Sequence, residues 1–192
     1  MQAIERLLKT AIVDKTPSVS SAALVSAYHL LPTARDVVRR WASETQEAVS
    51  SGSKGGGFMG LGGSAATHHG PGMTQYHAVG LLYQMRAHDR MALVKMVQQF
   101  SSGQVRNPAA VVMLVRLAAK MASEDQGLRK PMYTLLEGWL RSKSEMVVAE
   151  AAKAICGLRD VTNTEVASAI QGEPPVIANF FSPFSLFLFV GA

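Results

Sequence analysis

The stretch PSVSSAALVSAYHLL, Pro17–Leu31, decides the fold, together with EMVVAEAAKAICGL, Glu145–Leu158. Counted from Val19, small or apolar residues fall at +4 (Ala23), +7 (Ser26), +8 (Ala27) and +11 (Leu30). Counted from Val147, they fall at Ala151, Ala154, Ile155 and Leu158. Steps of four, three, one and three residues return to one face of an α-helix, and a face of small side chains lets a neighbouring helix approach closely.

Two further copies lie between these. From Thr74 the positions are Ala78, Leu81, Leu82 and Met85; from Ala110 they are Leu114, Leu117, Ala118 and Met121. The anchors 74, 110 and 147 are separated by 36 and 37 residues, the period of a helical hairpin. The first interval, 19 to 74, is 55 residues, and removing roughly 19 residues of glycine-rich insert restores the period. A hairpin cannot bury its apolar stripe alone, so the copies predict an all-α solenoid of HEAT/armadillo-like hairpin repeats.

The individual helices follow from the same periodicity. Ile4, Leu7, Leu8, Ala11 and Ile12 predict an amphipathic helix over 2–13. Pro17 suits the first turn of the next helix, 17–31, and Pro32 ends it. Thr33 is the expected N-cap of a helix over 34–50 that buries Val37, Val38, Trp41 and Val49. Further helices are expected over 73–87, 89–101, 108–122, 128–143 and 145–158, joined by short connections. Polar–apolar alternation is nearly absent, which leaves little signal for strands.

Two segments depart from this texture. Ser50–Gly72, SSGSKGGGFMGLGGSAATHHGPG, has too little apolar surface to offset its ordering entropy and is expected to be a disordered insert at 50–72. Gly172–Ala192 contains Pro174–Pro175 and Phe180, Phe181, Phe184, Phe187 and Phe189, five of the chain's seven phenylalanines. The domain reading is therefore a repeat region over 1–170 and an atypical tail over 171–192 outside the solenoid.

Composition narrows the function. With 48% apolar and 17% charged residues, the 192-residue chain reads as globular. Its net charge of +5 is scattered in singles and pairs such as Arg39–Arg40 and Arg129–Lys130, so the alternatives are a generic HEAT-repeat scaffold, such as a clathrin-adaptor large subunit, or a basic nucleic-acid or transport-receptor module. The single cysteine, Cys156, excludes an internal disulfide framework and fits a reducing compartment. MQAIERLLKTAIVDK carries early charges and no long apolar run, and is not expected to act as a signal peptide. No run of 18 apolar residues predicts a membrane-spanning helix.

Motifs for chemistry fail on context. Gly60–Ala65 formally matches GxGxxA, yet Gly70, Pro71 and Gly72 follow where a helix should begin, and no strand precedes. Lys54 precedes the glycines, which is the wrong order for a phosphate loop. His68, His69 and His77 have no carboxylate or cysteine at ligand spacing, so no metal site is expected. Cys156 is placed on the inward face of its helix as a buried thiol, and His29 and His77 are read as packing histidines. Glu145 suits a helix start and Glu150 a solvent face. Met85, Met96, Met113, Met121 and Met146 read as core filler. Catalytic, cofactor and metal residues are accordingly none, and an enzyme is not expected.

Four blocks carry a resemblance: AIVDKTPSVSSAALVSAYHLL (11–31), DVVRRWASETQEA (36–48), QYHAVGLLYQMRAHDRMALVKM (75–96) and EMVVAEAAKAI (145–155). They resemble the N-terminal trunk of the gamma-subunit family of the COPI coatomer, an adaptin-like large subunit of that vesicle coat. The resemblance runs from about residue 2 to residue 160. It implies an α-solenoid scaffold without cofactor or catalysis that pairs with the zeta subunit, joins the beta/delta pair, and is recruited to Golgi membranes by a GTP-loaded Arf-family GTPase. It also implies a cytoplasmic, peripheral location on Golgi membranes and coated vesicles, working in Golgi-to-ER and intra-Golgi transport without nucleic acid. Against the family, this sequence is expected to be a fragment of the trunk, with a longer loop at 50–72 and an unmatched tail. The resemblance transfers no GTPase-contacting residue, and partner-binding positions stay unknown.

Overall fold

A computed structural model describes residues 2–51 and 73–158, with side chains from Ile4 onward. The described residues form nine α-helices: α1 Gln2–Ile12, α2 Pro17–Leu30, α3 Arg35–Arg39, α4 Ala42–Ser51, α5 Thr74–Arg86, α6 Arg90–Ser101, α7 Pro108–Glu124, α8 Gln126–Trp139 and α9 Glu145–Cys156. No strand occurs among the described residues, as the all-α repeat reading requires. Residues 52–72 and the tail 171–192 lie outside the described residues, as do Lys54, Gly60–Ala65, His68 and His69. Ser50, the expected last residue of the helix over 34–50 and the first of the insert, lies in α4, and Ser51, assigned to the insert alone, completes it.

The helix starts are chemically marked. Asp89 Oδ1 accepts from Ala92 N–H at 2.9 Å at the start of α6, and Asp125 Oδ1 accepts from Gly127 N–H at 2.7 Å at the start of α8. Asn107 Oδ1 accepts from Ala110 N–H at 3.1 Å, opening α7 with Pro108 in its first position. Each bond satisfies an amide that the helix itself leaves unpaired. The Asp125 cap starts α8 two residues earlier than the apolar periodicity indicates, and α8 stops at Trp139 rather than 143.

The single helix expected over 34–50 is two. Arg40 N–H donates to Val37 and Trp41 N–H to Val38, three residues back, before Thr45 N–H resumes the four-residue pattern onto Trp41. This tightened turn separates α3 from α4 and leaves Trp41 1% exposed. Thr33 does not cap α3: its hydroxyl donates backwards to Leu30 O at 3.2 Å, and Ala34 holds the cap position without a side-chain bond. Val38, Trp41 and Val49 are buried as expected, and Val37 is half-buried.

The described residues divide into two compact units, one up to Met113 and one from Leu114. In the first, α2 packs against α1 and α5, and α5 also packs against α4 and α6. Ala78, Val79, Leu81, Leu82, Val97 and Phe100 are at most 1% exposed and form the centre of its core. In the second, α8 packs on α9 around Met132, Leu136, Ala151 and Ile155.

Burial tests the repeat position by position. Thr74, Ala78, Leu81, Leu82 and Met85 are all buried, as are Ala110, Leu114, Leu117, Ala118 and Met121. In α9, Val147, Ala151, Ile155 and Leu158 are buried and Ala154 is half-buried. The first copy is turned relative to the others. Val19 and Ser26 are exposed, and the inward stripe is Ser20, Ala23, Leu24, Ala27 and Leu31. Ser20 points inward because its hydroxyl donates to Ile12 O at 2.6 Å, tying α2 to the end of α1.

Candidate interaction surface

Position 75 organises the first unit. Gln75 lies in the first turn of α5, fully buried. Its Nε2 donates to Val49 O at 2.8 Å and to Gln104 O at 3.1 Å, while its Oε1 accepts from the amides of Arg106 and Asn107, both at 2.9 Å. Both donor hydrogens and both acceptor positions of one amide are thereby used. They satisfy backbone groups in the last turn of α4 and in the loop before α7. Nothing local in the sequence marks Gln75, since its partners are 26 to 32 residues away.

Surface ion pairs tie α1 to the segment that follows Arg39. Arg40 Nη2 reaches both carboxylate oxygens of Glu5, at 3.0 and 3.1 Å, and Lys9 Nζ meets Glu44 Oε1 at 2.8 Å. Burial raises the Glu44 pKa, but the hydrogen bond from Lys9 and further bonds from its own backbone and Ser43 outweigh it, so Glu44 sits below the ordinary carboxylate value.

The histidines divide. His77 is half-buried on the α2–α5 seam, where Nδ1 lies 2.7 Å from Ser21 Oγ, and burial pushes its pKa down. This matches its reading as a packing histidine. His29 does not match: it is exposed on α2, edge-on to Tyr28. Cys156 is likewise exposed, at the last residue of α9, rather than on the inward face. One helical residue from Ile155 to Cys156 turns a side chain by about 100°, enough to exchange core for surface. Met85, Met96 and Met121 are buried and Met113 is half-buried, but Met146 is half exposed in the first turn of α9.

In the second unit, α7 and α9 enclose an open groove of about 290 Å³. Arg116 Nε donates to Glu150 Oε1 at 2.6 Å and Nη2 to Oε2 at 3.2 Å, a forked ion pair that bridges the two helices. The bond from Arg116 holds the Glu150 carboxyl below its ordinary pKa, with burial opposing. Glu150 is therefore not a simple solvent-face charge; 34 residues separate it from its partner, and only the fold brings them together. Glu145 is exposed in the first turn of α9, as expected. Lys120 and Lys153 stand on opposite walls of the groove, above small residues Ala119, Ala154 and Gly157.

Among the described residues, no group of three histidine, cysteine or carboxylate side chains is placed to hold a metal ion. No helix among them is long and apolar enough to cross a membrane. The surfaces on hand are ion-paired helix faces and an open groove, which suit protein contacts.

The family model for the adaptin N-terminal region matches residues 1–174, and the chain belongs to that family. Within it the chain is similar to coatomer gamma subunits. It is 45% identical over 170 residues to a probable coatomer subunit gamma of Caenorhabditis elegans, covering 88% of this chain. It is 44% identical over 172 residues to coatomer subunit gamma-2 of Takifugu rubripes and to coatomer subunit gamma-1 of Homo sapiens, covering 89% of this chain in each case. The chain spans 18% of the length of each of these relatives.

Proposed function

We propose that this chain is a structural part of the COPI vesicle coat, a gamma-type trunk segment acting in Golgi-to-ER and intra-Golgi transport through protein–protein contacts. The observation that carries the reading is identity of 44–45% across nearly nine-tenths of the chain to coatomer gamma subunits. Helical repeats support it, because stacked hairpins offer extended surface and require no reactive centre. On this reading the repeat region runs over 1–170, the chain is not an enzyme, and it is peripheral to Golgi membranes on the cytoplasmic side. Its partners are the zeta subunit, the beta/delta pair and an Arf-family GTPase in its GTP form.

The test is capture of the purified chain on immobilised Arf locked with GTP or with GDP, beside co-expression with the zeta and beta/delta subunits. Retention on the GTP form and co-purification of at least one coat subunit are expected. Equal retention on both nucleotide forms together with no co-purifying subunit would remove the coat assignment.

A further inference from the structure

We propose that the groove between α7 and α9 binds an extended acidic peptide, with Lys120 and Lys153 receiving carboxylates from opposite walls. This goes beyond the coat assignment and does not depend on it.

The charge arrangement selects the partner. Three cations, Arg116, Lys120 and Lys153, line the groove against one carboxylate, Glu150. Arg116 is engaged by Glu150 in the forked pair, which spans the groove and sets the separation of its walls. Glu124 approaches Lys120 at 3.9 Å, with both side chains more than half exposed, a contact of little strength that an incoming carboxylate can replace. Lys153 lies in the field of Glu150, one turn earlier on α9, and with Lys120 it presents two separated ammonium groups on flexible stems.

That pattern fits single carboxylates better than a dense polyanion. Phosphate clusters are best held by guanidinium forks and converging backbone amides, whereas the fork here is already committed to Glu150 and single ammonium groups are what the walls offer. Alternate side chains of an extended segment point the same way about 6.6 Å apart, a spacing to which two lysines can adjust. The floor has room for such a segment because Ala119, Ala154 and Gly157 are too short to fill it, and Leu158 gives a small apolar contact at one end. The predicted ligand alternates acidic residues with small apolar ones.

The experiment measures anisotropy of a fluorescein-labelled peptide, Glu-Ala-Glu-Ala-Glu-Ala, with the full chain at low salt. Lys120→Glu with Lys153→Glu should weaken binding about tenfold, the order expected from losing and reversing two charge contacts. Lys95→Glu with Lys143→Glu, the same charge change at exposed lysines outside the groove, should weaken it less than twofold. Ala154→Leu keeps every charge, fills the floor and should also weaken binding, which guards against misfolding of the reversed variant. The proposal is overturned by equal loss in both charge-reversed variants, by no effect of Ala154→Leu, or by no wild-type binding. Three other results also overturn it by assigning the groove to another occupant. One is binding that emerges only after residues 159–192 are removed. Another is wild-type self-association abolished by the groove reversal. The third is groove-dependent binding of inorganic phosphate or phosphatidylserine vesicles in place of the peptide.

Discussion

The side-chain oxygen of Gln75 accepts the backbone amide of Asn107 at 2.9 Å, joining the start of α5 to the residue that caps α7. The same amide group holds Arg106 N–H, Val49 O and Gln104 O, so one buried side chain closes off three chain segments.

Replacing Gln75 by Leu keeps the volume but leaves those four backbone groups without their partner. Each unsatisfied buried group costs about 1–3 kcal/mol, partly relieved by relaxation, so a loss of about 3 kcal/mol is expected from urea unfolding. Gln75→Glu should also destabilise, because a carboxylate would face the carbonyls of Val49 and Gln104. A loss below about 1 kcal/mol for the Leu variant would show that the network is dispensable.

Trp41 provides the opposite case. Its ring is buried and its Nε1 has no hydrogen-bond partner among the described residues. Trp41→Phe removes that unmatched donor while retaining most of the ring, and the change in unfolding free energy should stay within about 1.5 kcal/mol. Trp41→Ala, which leaves a cavity, should cost about 3–5 kcal/mol. Similar losses for the two variants would show that the indole nitrogen matters.

Two glycines should respond with opposite signs. Gly138 lies inside α8 with open space where a Cβ would stand, so Gly138→Ala should stabilise by about 0.5–1 kcal/mol. Gly103 has φ +87°, where an L side chain is strained, so Gly103→Ala should destabilise by about 1 kcal/mol. Thermal midpoints of the two variants on either side of the wild type would confirm the assignment.

Stability should fall on acidification in two windows. His77 has a folded pKa below its ordinary 6.5 because burial disfavours the imidazolium. Its contribution is present above 6.5 and lost as pH falls through that value towards the folded one, since the unfolded chain binds the proton first. Glu150 and Glu44 are depressed below 4.5, so their contribution is present above 4.5 and lost as pH falls further. Urea midpoints measured from about pH 8 to about pH 3 should show both declines. His77→Gln should flatten only the first and Glu150→Gln only part of the second; unchanged slopes would exclude these groups as the cause.

The sequence by itself determined the repeat, because helical burial is periodic and periodicity needs no knowledge of partners. The stripes from Thr74 to Met85 and from Ala110 to Met121 are buried at every position read from the spacing. It also placed the starts of α2, α7 and α9 at Pro17, Pro108 and Glu145, whereas the one cap read from sequence, Thr33, does not hold its helix. What only the tertiary structure decided were relationships between residues far apart in the chain. The Ser20 bond to Ile12 goes with a turn of α2 that faces Val19 and Ser26 outward, although the same spacing is buried in the copies from Thr74 and Ala110. The tight turn that seats Trp41 divided one expected helix into α3 and α4. The forked pair of Arg116 with Glu150 crosses 34 residues and converts two ordinary charges into one edge of a groove. Local spacing records which face a residue occupies, but only packing decides which neighbour that face meets.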